Sequence, residues 1–188
     1  MDRKDAAIFA IALISLVVLL VVKPPVDEPE ATPEEVWHEI AQITIPDPPK
    51  VYAAVPISHE TQDILKAACE EWGVPYELAL AVCFRETGYK DLETEYDGKH
   101  YYGMMAVQLE SATQYMEKCG VSDLSGMSER LRVGCCILGD YLSRYDVHLA
   151  LMCYNLGENR AIGWWRHGIY ETEYSRDIVE HWERLKKE

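Results

Sequence analysis

Beyond residue 58 the apolar positions recur at helical spacing through most of the chain. After Ser58, a residue suited to capping a helix, Ile64, Leu65, Ala68, Cys69 and Trp72 fall on one face, and Gly73 supplies a stop. Pro75 suits the first turn of a second helix. Leu78, Ala79, Val82 and Cys83 then form a stripe that Glu86 continues, with Gly88 as the stop. A third helix is predicted over residues 111–119, ending at Gly120. A fourth starts at Ser128 and puts Leu131, Cys135, Leu138, Leu142 and Tyr145 on its buried side. Asp146 can cap a helix over residues 148–155 that Gly157 closes, and Thr172 can cap a last one carrying Tyr174, Ile178, Trp182 and Leu185. Between the second and third helices, residues 90–105 read as a polar loop without a period. No alternating strand pattern competes, and there are no internal repeats. The pattern predicts an all-α domain over residues 58–188.

The chain before that domain is of another kind. Residues 6–22 carry no charge, a run at the short end of what crosses a bilayer core. It leads into Lys23-Pro24-Pro25 with no small-x-small cleavage site, so residues 1–23 read as an uncleaved anchor rather than a signal peptide. Arg3 and Lys4 precede the run and only Lys23 follows it, which puts the N-terminus in the cytoplasm and the domain on the far side of the membrane. Residues 24–57 hold eight of the nine prolines and a cluster of acids, the composition of a stiff spacer. Within it Thr32-Pro33-Glu34-Glu35 resembles a helix start, followed by Val36, Ile40 and Ile43 at helical spacing with Trp37 adjacent.

Charge narrows the partners. A formal net charge of −14 without a basic stripe repels phosphate backbones, which excludes nucleic acid as a partner. Cys69, Cys83, Cys119, Cys135, Cys136 and Cys153 are open to two readings, a disulfide framework or small hydrophobes on helix faces. Neither Cys-x-x-Cys nor His-x-x-x-His occurs, so no metal is assigned. The chemical candidate is Glu86. A carboxyl delivered by an apolar stripe to the last turn of a helix is partly desolvated and lies at the negative end of the helix dipole, and both effects favour the protonated acid. Such an acid is what protonation of a leaving oxygen requires.

Three stretches in order sharpen this: Glu86-Thr87-Gly88-Tyr89, then Tyr102-Gly103-Met104-Met105-Ala106-Val107-Gln108, then Ala150-Leu151-Met152-Cys153-Tyr154-Asn155-Leu156-Gly157. They resemble the Glu-Ser, Gly-Leu-Met-Gln and Ala-Tyr-Asn motifs of the lytic transglycosylase (SLT-type) domain of the lysozyme-like superfamily, over about residues 58–185. The resemblance implies a helical muramidase fold acting on peptidoglycan glycan strands without a cofactor. Glu86 would be the sole acid and base in cleaving the bond between N-acetylmuramic acid and N-acetylglucosamine, leaving a 1,6-anhydro sugar. Gly103 and Met105 would line the groove floor, and Tyr154 would orient the acid or touch the sugar. Asn155 would help close the helix that holds Tyr154. Thr87 keeps the hydroxyl of the family serine. The family glutamine falls at Ala106, leaving Gln108 as the candidate to supply its hydrogen bond.

One carboxylate suffices if the substrate's own N-acetyl group stabilises the oxocarbenium-like state. A second reading is a lysozyme-like hydrolase in which Glu93, Glu95 or Asp97 activates water. A third is a silent wall-binding or scaffold domain of an envelope-spanning machine, with protein partners there. Trp164 and Trp165 are candidates for sugar stacking or for core packing.

Overall fold

The computed structural model describes residues 51–187. The uncharged run at residues 6–22, most of the proline-rich spacer and the helix expected after Thr32 lie outside the described residues. Among the described residues no helix is long and apolar enough to cross a membrane.

Among the described residues seven helices and three short strands follow one another: α1 His59–Trp72, α2 Tyr76–Thr87, β1 Glu93–Tyr96, β2 Lys99–Tyr102, β3 Val107–Gln108, α3 Leu109–Cys119, α4 Met127–Leu142, α5 Val147–Leu156, α6 Glu158–Arg166 and α7 Glu173–Leu185. The capping residues act as their chemistry requires. Ser58 accepts from the Thr61 amide, Asp146 from the amides of His148 and Leu149, and Thr172 and Ser175 form a reciprocal capping box. Tyr52 stacks on His59, and Gln62 exchanges hydrogen bonds with the Ala53 backbone, so residues 52–57 lie along α1.

The core centres on α2. The sequence reads as a one-sided stripe, but Leu78, Ala79, Leu80, Ala81, Val82 and Cys83 are all fully buried, so this stretch is enclosed on every face. It packs against α1 and α7, while α4 joins α1, α3 and α5. Full burial of Leu78, Leu80 and Val82 contributes about 1.5–3 kcal/mol each. Two glycines set how closely α4 is approached. A Cβ on Gly139 would lie 2.3 Å from the Trp72 carbonyl oxygen, and one on Gly134 would lie 2.6 Å from the Met105 sulfur.

Three differences from the sequence expectations stand out. Residues 90–105 are not one loop, because β1 and β2 pair antiparallel across the Asp97-Gly98 turn and β3 adds to β2. Both turn residues have positive φ, 52° and 68°, which fits the two-residue hairpin turn that an Asp-Gly pair favours. Helix α4 ends at Leu142, so Tyr145 sits in the following turn, where its hydroxyl meets Glu158. An additional helix, α6, begins directly after Gly157. The domain is therefore mostly helical with a small sheet rather than all-α.

All six cysteines are free and buried. Cys69 and Cys135 approach to 3.9 Å across the α1–α4 contact.

Candidate active site

The end of α2 is defined by two successive left-handed residues. Gly88, at φ 60°, closes the helix through its amide to the carbonyls of Cys83 and Phe84, and Tyr89 continues at φ 65°. A tyrosine at positive φ is strained by about 1 kcal/mol, which the packing of its ring beside Phe84 opposes. This tight stop fixes the last turn of α2, and with it Glu86.

Glu86 opens into a groove of about 1030 Å³ between β2, β3 and α3 on one side and α4, α5 and α6 on the other. Its carboxyl is largely desolvated. Burial pushes its pKa above the ordinary carboxylate value, against the lowering effects of a hydrogen bond from Tyr174 and of the Arg85 charge. The Tyr174 hydroxyl donates to Glu86 Oε1, leaving the other oxygen to carry the proton. Tyr174 is itself buried on α7 and lies under the Arg85 guanidinium, 5.6 Å from the ring centre. Arg85 is in turn held by Asp177 at 3.1 Å. These residues make one oriented, mostly dry acid.

The sequence candidates divide into two sets. Glu86, Gln108, Tyr154 and Asn155 line the groove, as does Ala106. Gln108 faces Glu110, to which its amide donates at 3.4 Å. Tyr154 is beside Glu86, yet its hydroxyl donates to the Met105 carbonyl at 2.8 Å, so the phenol that orients the acid is Tyr174.

Thr87, Gly103 and Met105 lie behind the groove. The Thr87 hydroxyl reaches the Met104 carbonyl at 2.9 Å and ties α2 to the β2–β3 connection. Gly103 is a site of close approach, as its residue type suggests, but to α4 and not to the groove. A Cβ there would sit 2.8 Å from Arg130 Cβ. Met105 is 1% exposed and packs on Gly134 and Cys135. It supports the floor from below and offers the groove no side-chain surface.

None of Glu93, Glu95 and Asp97 lines the groove. Glu93 pairs with Arg130, a buried cation that also binds Asp91 at 3.2 Å and the carbonyls of Leu124 and Ser125. Arg130 thereby fastens the foot of the hairpin to the start of α4. The other carboxylates along the groove are Glu110, Glu117 and Glu158, and Glu158 is taken up by Arg144 and the Tyr145 hydroxyl. Trp164 and Trp165 pack against the α5–α6 cluster and are not among the groove residues. Among the described residues no three His, Cys, Asp or Glu side chains converge as a metal ion needs.

Sequence reasoning missed Tyr174 as a functional residue. Its place on the apolar face of α7 gave it a core reading, and its hydroxyl finds Glu86 across 88 positions of chain. The nearest sequence signal was the Thr172 cap, which fixes where α7 begins and so where Tyr174 points.

The sequence matches no protein-family model and no curated protein. By structure, 70% of the chain aligns with the X-ray structure of the lytic transglycosylase Slt from Pseudomonas aeruginosa, an inactive glutamate-to-glutamine variant, with a TM-score of 0.58 and 17% sequence identity. The aligned region is 24% of that protein's chain. What the two share is the fold.

Proposed function

We propose that this chain is a membrane-anchored lytic transglycosylase that cleaves peptidoglycan glycan strands. The observation that carries the reading is Glu86: a desolvated carboxyl with a raised pKa, oriented by Tyr174, facing a groove in a fold held in common with a lytic transglycosylase. The protonated oxygen of Glu86 gives its proton to the oxygen linking N-acetylmuramic acid to N-acetylglucosamine. As that bond breaks, the substrate's N-acetyl group supports the developing positive charge. Glu86, now a carboxylate held by the Tyr174 hydroxyl, takes the proton from the muramyl 6-hydroxyl, which closes onto C1. One carboxyl serves as acid and then base, and a 1,6-anhydro end results.

A water-activating hydrolase is less well supported. An inverting base belongs about 6.5–9.5 Å from the acid across the sugar, and the hairpin acids proposed for that role are outside the groove. A silent scaffold is disfavoured by the desolvated acid itself, since binding alone gives no reason to keep a carboxyl where burial opposes its charge. The anchor is the run at residues 6–22 and the spacer is residues 24–57, so the catalytic domain at residues 58–188 would act outside the cytoplasmic membrane.

Mass analysis of digested sacculi tests the reaction. Products lighter by one water than hydrolytic ends, and resistant to borohydride, are expected; reducible muramic ends as the main product would overturn it. Membrane fractionation of the full chain tests the anchor, and a soluble mature form starting near Lys23 would overturn that.

A further inference from the structure

Two cations line the groove, and they are not alike. Lys99 stands on β2, a flexible point charge, whereas Arg160 projects from the first turns of α6, with its guanidinium over the Trp164 ring at 5.3 Å. Stacking holds a planar fork of donors in a preset orientation. Among the described residues no carboxylate pairs with Arg160. The acid two positions before it, Glu158, is bound by Arg144 and Tyr145. In a chain of net charge −14, whose groove also carries Glu110 and Glu117, Arg160 offers an oriented guanidinium that no carboxylate of the described residues has taken up.

We propose that Arg160 is a specificity determinant that receives a carboxylate of the substrate. This rests on the peptidoglycan reading above. Muramic acid carries a lactyl group whose carboxyl is either free or joined to a peptide that ends in carboxylates of its own. Plain N-acetylglucosamine polymers have neither. Arg160 would therefore register the muramyl residue in the groove and set which linkage lies at Glu86. Bidentate pairing with a carboxylate suits guanidinium geometry, and the ammonium of a lysine cannot reproduce it.

The experiment compares wild type, Arg160→Gln and Arg160→Lys on three substrates: peptide-bearing strands, strands stripped of peptide, and neutral N-acetylglucosamine oligomers. The readouts are kcat and KM, together with binding to the Glu86→Gln forms of the same proteins. The selectivity for carboxylate-bearing over neutral strands should fall by about tenfold in Arg160→Gln, mostly through KM, with partial recovery in Arg160→Lys. A drop confined to peptide-bearing strands assigns the peptide carboxylate, and a drop on stripped strands as well assigns the lactyl group. Unchanged selectivity in both kinetics and binding would overturn the proposal. If wild type binds all three substrates and cleaves none, the reaction proposed above fails, and the binding ratios still decide the role of Arg160.

Discussion

Replacing Tyr174 by Phe removes one hydroxyl and nothing else from the contact with Glu86. The ring stays under Arg85 and within the α7 packing, so the variant should fold. In the resting acid the hydroxyl donates to a neutral carboxyl, and after proton transfer to a charged one. A hydrogen bond to a charged group contributes about 1.5–3 kcal/mol and a neutral one about 0.5–1.5. The difference, about 1–2 kcal/mol, is stabilisation gained as charge develops, and at 1.36 kcal/mol per factor of ten its loss slows the reaction about 5- to 30-fold. A second effect concerns pH. The Tyr174 hydroxyl lowers the Glu86 pKa against the dominant effect of burial, so its removal lets that pKa rise further. Glu86 must hold its proton to act, and activity is lost as pH climbs through its pKa. The Phe variant should therefore be slower at its plateau but keep that plateau to higher pH. Initial rates of fragment release from purified sacculi, measured across about pH 4–9 with circular dichroism to check folding, read both effects. A folded variant with wild-type rate and an unmoved alkaline limb would refute the assignment of Tyr174 as the group that orients Glu86.

Glu86→Gln should lose about 10²–10⁴-fold in cleavage on the same substrate. It should also be more stable at alkaline pH. Because burial raises the folded-state pKa, the stability tied to the protonated form is complete at low pH and drains away as pH rises through that pKa, a loss Gln does not suffer. Melting is expected to be higher than wild type near pH 8 and to converge toward it near pH 4; the opposite trend would contradict a desolvated acid. Gly139→Ala pushes a methyl against the Trp72 carbonyl oxygen, a backbone atom that cannot swing aside, and should cost about 1–3 kcal/mol in denaturant titration. Glu95→Gln and Asp97→Asn should each keep activity within about twofold, whereas a collapse in either would revive the hydrolase.

How legible these features were depended on whether an interaction was local. The boundaries of α1, α2, α5 and α7 follow from Ser58, Gly73, Gly88, Asp146 and Thr172, each of which satisfies its own backbone neighbours. Glu86 was legible because the stripe before it has no other way to bury itself. The hairpin was not, since all four β1 residues are exposed and leave no alternation to read; only the Asp97-Gly98 pair signalled it. Helix α6 hid for a similar reason: Ala161 is its only buried residue and it has no side-chain cap. Gly103 and Met105 carried family-like residue types whose use here is to meet Arg130 and α4, contacts that no spacing encodes.

Arg130 has a consequence for how the groove moves. The hairpin is joined to the domain at its foot by ion pairs and carbonyl contacts, through β3 and by the packing of β2 on α3, while all four β1 residues are exposed. Its opening free energy is therefore separable from that of the helices. Under native-state hydrogen exchange the β1–β2 amides should form their own low-energy opening unit, released well before global unfolding and far ahead of α2. That exchange pattern would give one wall of the groove a motion of its own, by which a long polymer strand enters laterally, without threading and without disturbing the helix that holds the acid.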